Sequence, residues 1–172
     1  PNPSGSLKDR ATAVVILKGR ELGYQEIATA STGNAAASLA CLSASLGVRC
    51  HIFVPNSAPL AKVVQVLVCS ADVLSVQGTY DDAFGLCVEA CQALGWYNRN
   101  TGYNPYTIEG KKTVSMEVAE QLGWEPPDTV VVPVGDGCIL SGVWKGFVDL
   151  QRVGFISRLP RLVAVQAEGS QA

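Results

Sequence analysis

A lysine occupies an unusual place near the start of the chain, in the stretch "PSGSLKDR" of residues 3–10. The apolar spacing predicts a helix over residues 7–22, with Ser6 as its cap and Gly23 as its stop. The positive end of the helix dipole disfavours the protonated form of a lysine in the first turn. A neutral amine can attack an aldehyde and form a Schiff base. Lys8 is therefore a candidate nucleophile, with a solvated helix lysine as the alternative.

Two further loops carry groups that suit anions. The stretch "ASTGNAAAS" places Ser31, Thr32 and Asn34 at the start of a predicted helix, which suits a carboxylate or simple capping. The stretch "VPVGDGCILSG" follows a strongly apolar strand and puts Gly135 and Gly137 in a turn whose N–H groups can cradle a phosphate. It matches neither GxGxxG nor a Walker A loop. A phosphate-bearing aldehyde cofactor, pyridoxal 5′-phosphate, accounts for the lysine and the glycine turn together.

Strand and helix patterns alternate along the chain and must position these groups. Strands are predicted at 26–30, 49–54, 73–76, 129–134 and 161–166, with an edge strand at 95–98. Helices are predicted at 7–22, 35–46, 58–70, 80–94, 111–122 and 140–150. This rhythm predicts an α/β fold of doubly wound parallel sheets, with two three-layer α/β/α domains of which the second is incomplete.

The Gly/Asn/Pro-rich stretch 99–108 is predicted to be a loop and the domain boundary. It separates a smaller N-terminal α/β domain, 1–105, which carries the Lys8 helix, from the start of a C-terminal, cofactor-phosphate-binding α/β domain, 106–172. The β-branched run at 129–134 is typical of a strand buried on both faces of a parallel sheet. Because the chain lacks an initiator Met and stops just after a strand, we interpret it as a piece of a longer protein.

Composition argues against several functional classes. A net charge of −2 with 16% charged residues gives no sign of a nucleic-acid partner, and no apolar run is long enough for a membrane span. The six cysteines form no CxxC pair and His51 is the only histidine, so we expect no metal site. Cys87 and Cys91 are interpreted as buried packing. The cysteine pattern favours a reducing, cytoplasmic setting.

Five ordered motifs make the pattern more specific. They are "NPSGSLKDR", "ASTGNAAASLA", "NPYTIEGKKT", "VVVPVGDGCILSGVWKGF" and "RLPRLVAVQAEG". Together they cover nearly the whole chain, and the chain resembles the threonine synthase branch of the fold-type II pyridoxal-phosphate enzymes, the tryptophan synthase β superfamily. The resemblance implies pyridoxal 5′-phosphate as the cofactor.

The resemblance also implies a role for individual residues. Lys8 would form the internal aldimine and later shuttle protons, and Asn34 would hydrogen-bond the 3-hydroxyl of the cofactor. Ser31, Thr32, Gly33 and Asn34 would receive the α-carboxylate of the substrate. The cofactor phosphate would bind at Gly135, Asp136, Gly137, Cys138 and Ile139. The motif Ala167–Gly169 would lie close to the cofactor.

The chain departs from the family pattern at two places. The phosphate loop usually reads G-N-G-G-N, whereas here Asp136 follows Gly135, so we expect the carboxylate to point away while backbone N–H groups bind. Thr107 stands where threonine synthases often carry an arginine for the phosphate of O-phosphohomoserine, and a hydroxyl cannot replace a guanidinium clamp. Arg99, Lys111 and Lys112 are possible substitutes, although we interpret them as solvated surface charges.

The resemblance implies a pyridoxal-phosphate-dependent lyase or synthase acting on a small amino acid, most simply a threonine synthase-like enzyme that converts O-phosphohomoserine and water to threonine and phosphate. One alternative keeps the cofactor but changes the reaction, to a serine or threonine dehydratase-like elimination or to a subunit of an amino-ketoacid thiolase. Another alternative is a non-catalytic binding subunit. The resemblance further implies a homodimer of the full-length protein.

Overall fold

A computed structural model describes residues 1–169 of the chain. The chain divides into two compact units, Pro1–Tyr106 and Thr107–Ala172. The first unit contains, in chain order, α1 (Lys8–Glu21), β1 (Glu26–Ala30), α2 (Asn34–Leu46), β2 (Arg49–Pro55), α3 (Leu60–Leu67), β3 (Asp72–Val76), α4 (Tyr80–Leu94) and β4 (Tyr97–Asn98).

The strands of the first unit form a parallel sheet in the order β3-β2-β1-β4. Both faces of the central strands β1 and β2 are buried. One face packs with α1, α2 and α3 in a cluster that includes Ile16, Leu39 and Val66. The other face, which carries Phe53, packs against Cys87 and its neighbours on α4. Helices therefore cover the sheet on both sides, which confirms the predicted doubly wound α/β fold.

A cluster of charged side chains fastens the N-terminal ends of three neighbouring strands. His51 Nε2 lies 2.6 Å from a carboxylate oxygen of Glu26, and its Nδ1 lies 3.3 Å from one of Asp72. The imidazole also stacks on Trp96, with 3.7 Å between ring centroids. Arg49 Nε donates to Asp72 at 3.0 Å. These contacts pair β1, β2 and β3 at the edge of the sheet opposite the candidate loops.

The second unit contains α5 (Tyr106–Lys111), most of which belongs to it, followed by α6 (Thr113–Gln121), β5 (Thr129–Pro133), α7 (Cys138–Arg152) and β6 (Arg161–Val165). Its two strands are parallel. Phe147 of α7 and Ala119 of α6 join Val132 in its core. The prediction that β5 is buried on both faces is wrong within the described residues, because Val132 is 3% exposed whereas Val131 is 63% exposed.

Some element boundaries differ from the sequence prediction. The predicted loop at 99–108 is shorter, because α5 already begins at Tyr106. The predicted helix over 111–122 is divided, with α5 ending at Lys111 and α6 beginning at Thr113. Helix α3 ends at Leu67 instead of reaching Ser70, whose backbone adopts a φ of 58°. The left-handed conformation of Ser70 closes the turn into β3 and ends the helix.

Two glycines allow α7 to approach the preceding helices closely. A Cβ at Gly142 would lie 2.6 Å from the Cβ of Lys111. A Cβ at Gly146 would collide with the carbonyl oxygen of Lys112 and lie 2.9 Å from the Cβ of Ser115. The Ser115 hydroxyl donates to the Val143 carbonyl at 2.6 Å across the same contact. This close packing explains why Lys111 is fully buried.

Charged side chains fasten the outer part of the same helix contact. Lys112 Nζ lies 2.9 Å from carboxylate oxygens of both Glu109 and Asp149. Lys145 lies 3.4 Å from Glu109 and 3.5 Å from Asp149. Hydrogen bonding with Lys112 lowers the pKa of Glu109 and of Asp149, and it raises the pKa of Lys112. The interpretation of Lys112 as a simple solvated charge is therefore wrong.

Replacing Gly146 with Ala should destabilise the protein, because an added methyl group has no room between α7 and the start of α6. We expect the free energy of unfolding to fall by about 1–3 kcal/mol, measured by denaturant unfolding. Gly85 in α4 is the matched control, since no atom lies within 4 Å of an added Cβ there. Gly85→Ala should leave stability unchanged or raise it by about 0.5–1 kcal/mol. Equal effects of the two changes would contradict the close approach of the helices.

The Lys112 cluster should make stability depend on acid pH. The pKa values of Glu109 and Asp149 are lower in the folded protein than in the unfolded chain. These carboxylates therefore add to the free energy of unfolding above their unfolded-state pKa values, and this stabilisation is lost as the pH falls through their folded-state pKa values. Lys112→Met should therefore flatten the fall in unfolding free energy between roughly pH 5 and 3, by about 0.5–1 kcal/mol because the groups are partly exposed.

The control for this titration is Lys62→Met, which removes an exposed lysine from α3. Denaturant unfolding at several pH values is the measurement. Parallel pH profiles for Lys112→Met and the unchanged protein would show that the cluster does not stabilise the fold.

Candidate active site

Lys8 is the first residue of α1, and the loop before it is held by hydrogen bonds. Asp9 is 3% exposed and accepts bonds from Ser4, at 2.7 Å from the backbone N–H and 2.6 Å from the hydroxyl. Ser6 accepts a bond from the Lys8 backbone N–H at 3.2 Å, although the residue at the N-cap position is Leu7. The Lys8 backbone is thus fixed by its neighbours, while its side chain is partly exposed.

Ser31, Thr32 and Gly33 connect β1 directly to α2, and all three are partly exposed. The N-cap residue of α2 is Gly33, which offers no side-chain cap, and the Ser31 hydroxyl accepts from the Gly33 N–H at 3.2 Å. Asn34 is exposed and begins the helix. Because no side chain caps α2, its first-turn N–H groups could bind an anion such as a carboxylate.

A buried side-chain bridge joins the helices that carry Lys8 and Asn34. Thr12 lies one turn after Lys8 on α1, and Ser38 lies one turn after Asn34 on α2. The Ser38 hydroxyl donates to the Thr12 hydroxyl at 2.7 Å, and both residues are fully buried. Residues four apart share a helix face, so this bridge brings the starts of the two helices together.

Asn100, in the loop after β4, fastens the end of β1. Its side-chain oxygen accepts from the Thr29 hydroxyl at 3.0 Å and from the Ala30 N–H at 2.7 Å. Its amide nitrogen donates to the Cys87 sulfur at 3.5 Å. Asn100 is 1% exposed, and Ala30 directly precedes the loop that starts at Ser31. Sequence reasoning missed this residue, which the richness of the loop in asparagine could have indicated.

The second unit carries the glycine-rich loop between β5 and α7. Gly137 is the N-cap residue of α7, with a φ of 76°, and it offers no side-chain cap. A carboxylate oxygen of Asp136 accepts from the Cys138 N–H at 3.0 Å. The expectation that this carboxylate points away from the loop is wrong, because the short turn brings it onto the first N–H of α7. No atom lies within 4 Å of an added Cβ at Gly135 or Gly137. The open turn and the 15-residue helix behind it suit a phosphate.

Three other predicted residues have environments that the sequence did not indicate. Thr107 is fully buried in α5. Arg99 and Lys111 were interpreted as solvated surface charges, and this interpretation is wrong because both are fully buried. The guanidinium of Arg99 enters the Thr12 hydroxyl cluster, whereas the stem of Lys111 is covered by α7. The motif Ala167–Gly169 lies at the end of the described residues and is exposed.

The described residues contain neither a disulfide nor a helix that could span a membrane. Cys87 and Cys91 are buried, as predicted, and no disulfide joins any of the six cysteines. Burial raises the pKa of the Cys50 thiol to about 11. Within residues 1–169, no helix is both long and apolar enough to cross a membrane.

Comparison with known proteins identifies the family of the chain. The family model described as "Pyridoxal-phosphate dependent enzyme" matches residues 1–172. The chain belongs to the pyridoxal-phosphate dependent enzymes. Its amine at the start of α1, the uncapped start of α2 and the open glycine turn before α7 suit the aldehyde and phosphate of the cofactor that gives this family its name.

Relatives within this family include threonine synthases from two archaea. The chain is 39% identical to that of Methanocaldococcus jannaschii over 171 residues, which are 99% of this chain and 42% of the relative. It is 41% identical to that of Methanosarcina acetivorans over 98% of this chain and 42% of the relative. The chain therefore spans less than half the length of these relatives.

A solved structure of the same architecture is the processed form of threonine deaminase isoform 2 from Solanum lycopersicum, with a TM-score of 0.81 and 25% identity over 96% of this chain and 44% of that chain. Maize serine racemase also superimposes with a TM-score of 0.81, at 26% identity over 96% of this chain and 48% of that chain. These similarities extend across nearly all of this pyridoxal-phosphate enzyme chain.

Replacing Asn100 with Ala should destabilise the protein by about 2–3 kcal/mol, because the buried N–H of Ala30 and the hydroxyl of Thr29 lose their acceptor. Denaturant unfolding measures the loss. Asn56→Ala is the control, since Asn56 is exposed and its side chain donates to Gln77 at the surface, and its effect should stay within about 0.5 kcal/mol. A small effect of Asn100→Ala would show that the end of β1 does not depend on this side chain.

Proposed function

We propose that the protein containing this chain is a pyridoxal-phosphate-dependent carbon–oxygen lyase of the threonine synthase type, which converts O-phosphohomoserine and water to threonine and phosphate. The observation that carries the proposal is the Lys8 amine at the start of α1, joined through the Thr12–Ser38 bridge to the uncapped start of α2. The identity to archaeal threonine synthases over almost the whole chain supports the choice of reaction.

When bound, pyridoxal phosphate supplies an aldehyde for amines and a ring that accepts the electrons of a substrate carbanion. Lys8 would hold the cofactor through its amine and, once displaced by the substrate amine, would accept the proton from the substrate α-carbon. The positive end of the α1 dipole favours the neutral amine that both tasks require.

Anion binding would come from the starts of α2 and α7. Backbone N–H groups at Ser31–Asn34 would bind the substrate carboxylate, with the Asn34 amide toward the 3-hydroxyl of the cofactor. The loop Gly135–Ile139 would hold the cofactor phosphate through backbone N–H groups. The Asp136 carboxylate accepts from the Cys138 N–H, so a bound phosphate would have to displace it there, and the other N–H groups of the loop would complete the site. The units Pro1–Tyr106 and Thr107–Ala172 would then belong to the two domains of the enzyme.

A second candidate is elimination from serine or threonine with the same cofactor. Thr107, a neutral residue, stands where an arginine would bind the phosphate of O-phosphohomoserine, and it is fully buried in α5. A threonine deaminase is among the similar structures. For the whole protein we also propose a homodimer and a place in cytoplasmic amino-acid biosynthesis, as the resemblance implies.

The first test is cofactor capture by the full-length protein. Added pyridoxal phosphate should produce a visible absorbance band above that of the free cofactor, and Lys8→Ala should abolish it because the amine is lost. Lys18→Ala is the control, since Lys18 lies on the same helix and pairs with Glu21 at 3.1 Å. An unchanged band in Lys8→Ala would refute the role of Lys8, and no band in the unchanged protein would favour a non-catalytic binding subunit.

The second test distinguishes the reactions. Release of phosphate and threonine from O-phosphohomoserine should exceed keto-acid formation from serine or threonine. The opposite ranking would replace the synthase with a dehydratase-like eliminase. Activity with an amino-ketoacid and a thiol acceptor alone would indicate a thiolase subunit.

Asp136→Asn should strengthen binding of pyridoxal phosphate, because the amide oxygen can still accept from Cys138 while the negative charge beside the phosphate is removed. We expect a decrease in Kd of about two- to fivefold, measured by titrating the absorbance band. Asp128→Asn is the control, since that carboxylate is 93% exposed and pairs with Arg158. Weaker binding in Asp136→Asn would show that the charge assists the loop instead of opposing the phosphate.

A further inference from the structure

Arg99 is the largest of the fully buried side chains in the described residues. Its Nε and Nη2 donate to the Thr12 hydroxyl at 3.4 and 3.3 Å, and its Nη1 donates to the Thr101 hydroxyl at 2.9 Å. The Thr12 hydroxyl also accepts from Ser38. A cation that remains charged at every physiological pH is thus enclosed with three hydroxyl groups.

This hydroxyl cluster lies one turn along from both residues proposed to contact the cofactor. Thr12 follows Lys8 by four residues on α1, and Ser38 follows Asn34 by four on α2. The backbone N–H of Arg99 donates to the Ala28 carbonyl at 2.8 Å, which anchors the loop after β4 to β1. Arg99 therefore links the two helices to the end of the sheet from which the Ser31–Asn34 loop departs.

The burial of Arg99 decides between two possible roles. An arginine that replaced the one missing at Thr107 would have to offer its guanidinium to the phosphate of a substrate. Arg99 is 0% exposed, and its nitrogens already donate to the Thr12 and Thr101 hydroxyls. It thus offers no surface to a substrate in this structure, which favours a role in holding the helices that carry the site.

We propose that Arg99, acting through Thr12, is a positioning residue that sets the placement of Lys8 relative to Asn34. The inference rests on the proposed pyridoxal-phosphate site. The planar guanidinium can hold hydroxyls in two directions at once, which a lysine ammonium cannot reproduce with the same geometry. Loss of the hydrogen bonds between Arg99 and Thr12 should move the starts of α1 and α2 apart and misplace the Lys8 amine.

Two substitutions at Thr12 separate positioning from simple stability. Thr12→Val keeps the shape of the side chain but removes the hydroxyl that Arg99 and Ser38 share. Thr12→Ser keeps the hydroxyl but removes a buried methyl group, so it also costs stability. In the full-length protein, Thr12→Val should slow capture of pyridoxal phosphate about tenfold and change the circular dichroism of the bound cofactor, whereas Thr12→Ser should keep both near those of the unchanged protein.

Hydrogen exchange of the cofactor-free protein provides a readout that does not depend on the cofactor. In Thr12→Val and in Arg99→Lys, the hydrogen-bonded amides in the second turns of α1 and α2, beside Thr12 and Ser38, should exchange about tenfold faster or more, because the contact between those turns is weakened. Arg49→Lys is the matched control, since Arg49 is exposed and pairs with Asp72 at the other end of the sheet. It should leave these amides unchanged.

The outcomes separate this inference from the proposed function. Equal losses of cofactor capture in Thr12→Val and Thr12→Ser, in proportion to stability, would overturn the positioning role, as would unchanged exchange in Thr12→Val and Arg99→Lys. A missing absorbance band in the unchanged protein would overturn the proposed function instead. In that case the exchange result still decides whether Arg99 holds the starts of α1 and α2.

Discussion

Buried hydrogen bonding around the loop after β4 is the constraint on which the first half of the candidate site depends. β4 has only two residues and, within residues 1–169, pairs with β1 alone, so its backbone makes few ladder bonds. Asparagine side chains compensate: Asn100 accepts from the end of β1, and Asn104 donates to the Asn98 carbonyl at 2.8 Å. Removing one such group would leave buried partners unsatisfied, which costs more than the net value of the bond. The loop is consequently a fixed part of the unit.

The polar contacts of this loop also reach the two helices α1 and α2. The Arg99 guanidinium would be costly to bury without acceptors, and the Thr12 hydroxyl meets part of that requirement while also accepting from Ser38. One set of polar contacts therefore stabilises the buried cation and fixes the distance between α1 and α2. The stability of the unit and the geometry of the site thus depend on the same atoms. An experiment can distinguish the two only with a substitution that removes the Thr12 hydroxyl and keeps the shape of the side chain.

Helix starts at the carboxyl ends of the strands differ in a way that relates stability to function. Helix α4 follows β3 and has a complete capping box, in which Thr79 and Asp82 bond each other's backbone. Helices α2 and α7 follow β1 and β5 and have glycine at the N-cap position, which offers no side chain. In α7 the Asp136 carboxylate bonds the first N–H instead, whereas no side chain caps α2. A side-chain cap is worth about 1 kcal/mol, so α2 forgoes stability that α4 obtains. The start of α2 lies where ligands gather in doubly wound sheets.

The sequence predicted what depends on local pattern and missed what depends on packing between elements. The strand at Glu26–Ala30 and the helix at Tyr80–Leu94 agree with the structure to the residue, because alternation and capping signals are local. The burial of Arg99 and Lys111 was not predictable, since it requires hydroxyls and a glycine contributed by distant segments. Motif spacing could thus identify Lys8 and the glycine turn as candidate functional groups. The groups that hold Lys8 in place are visible only when α1, α2 and the loop after β4 are packed together.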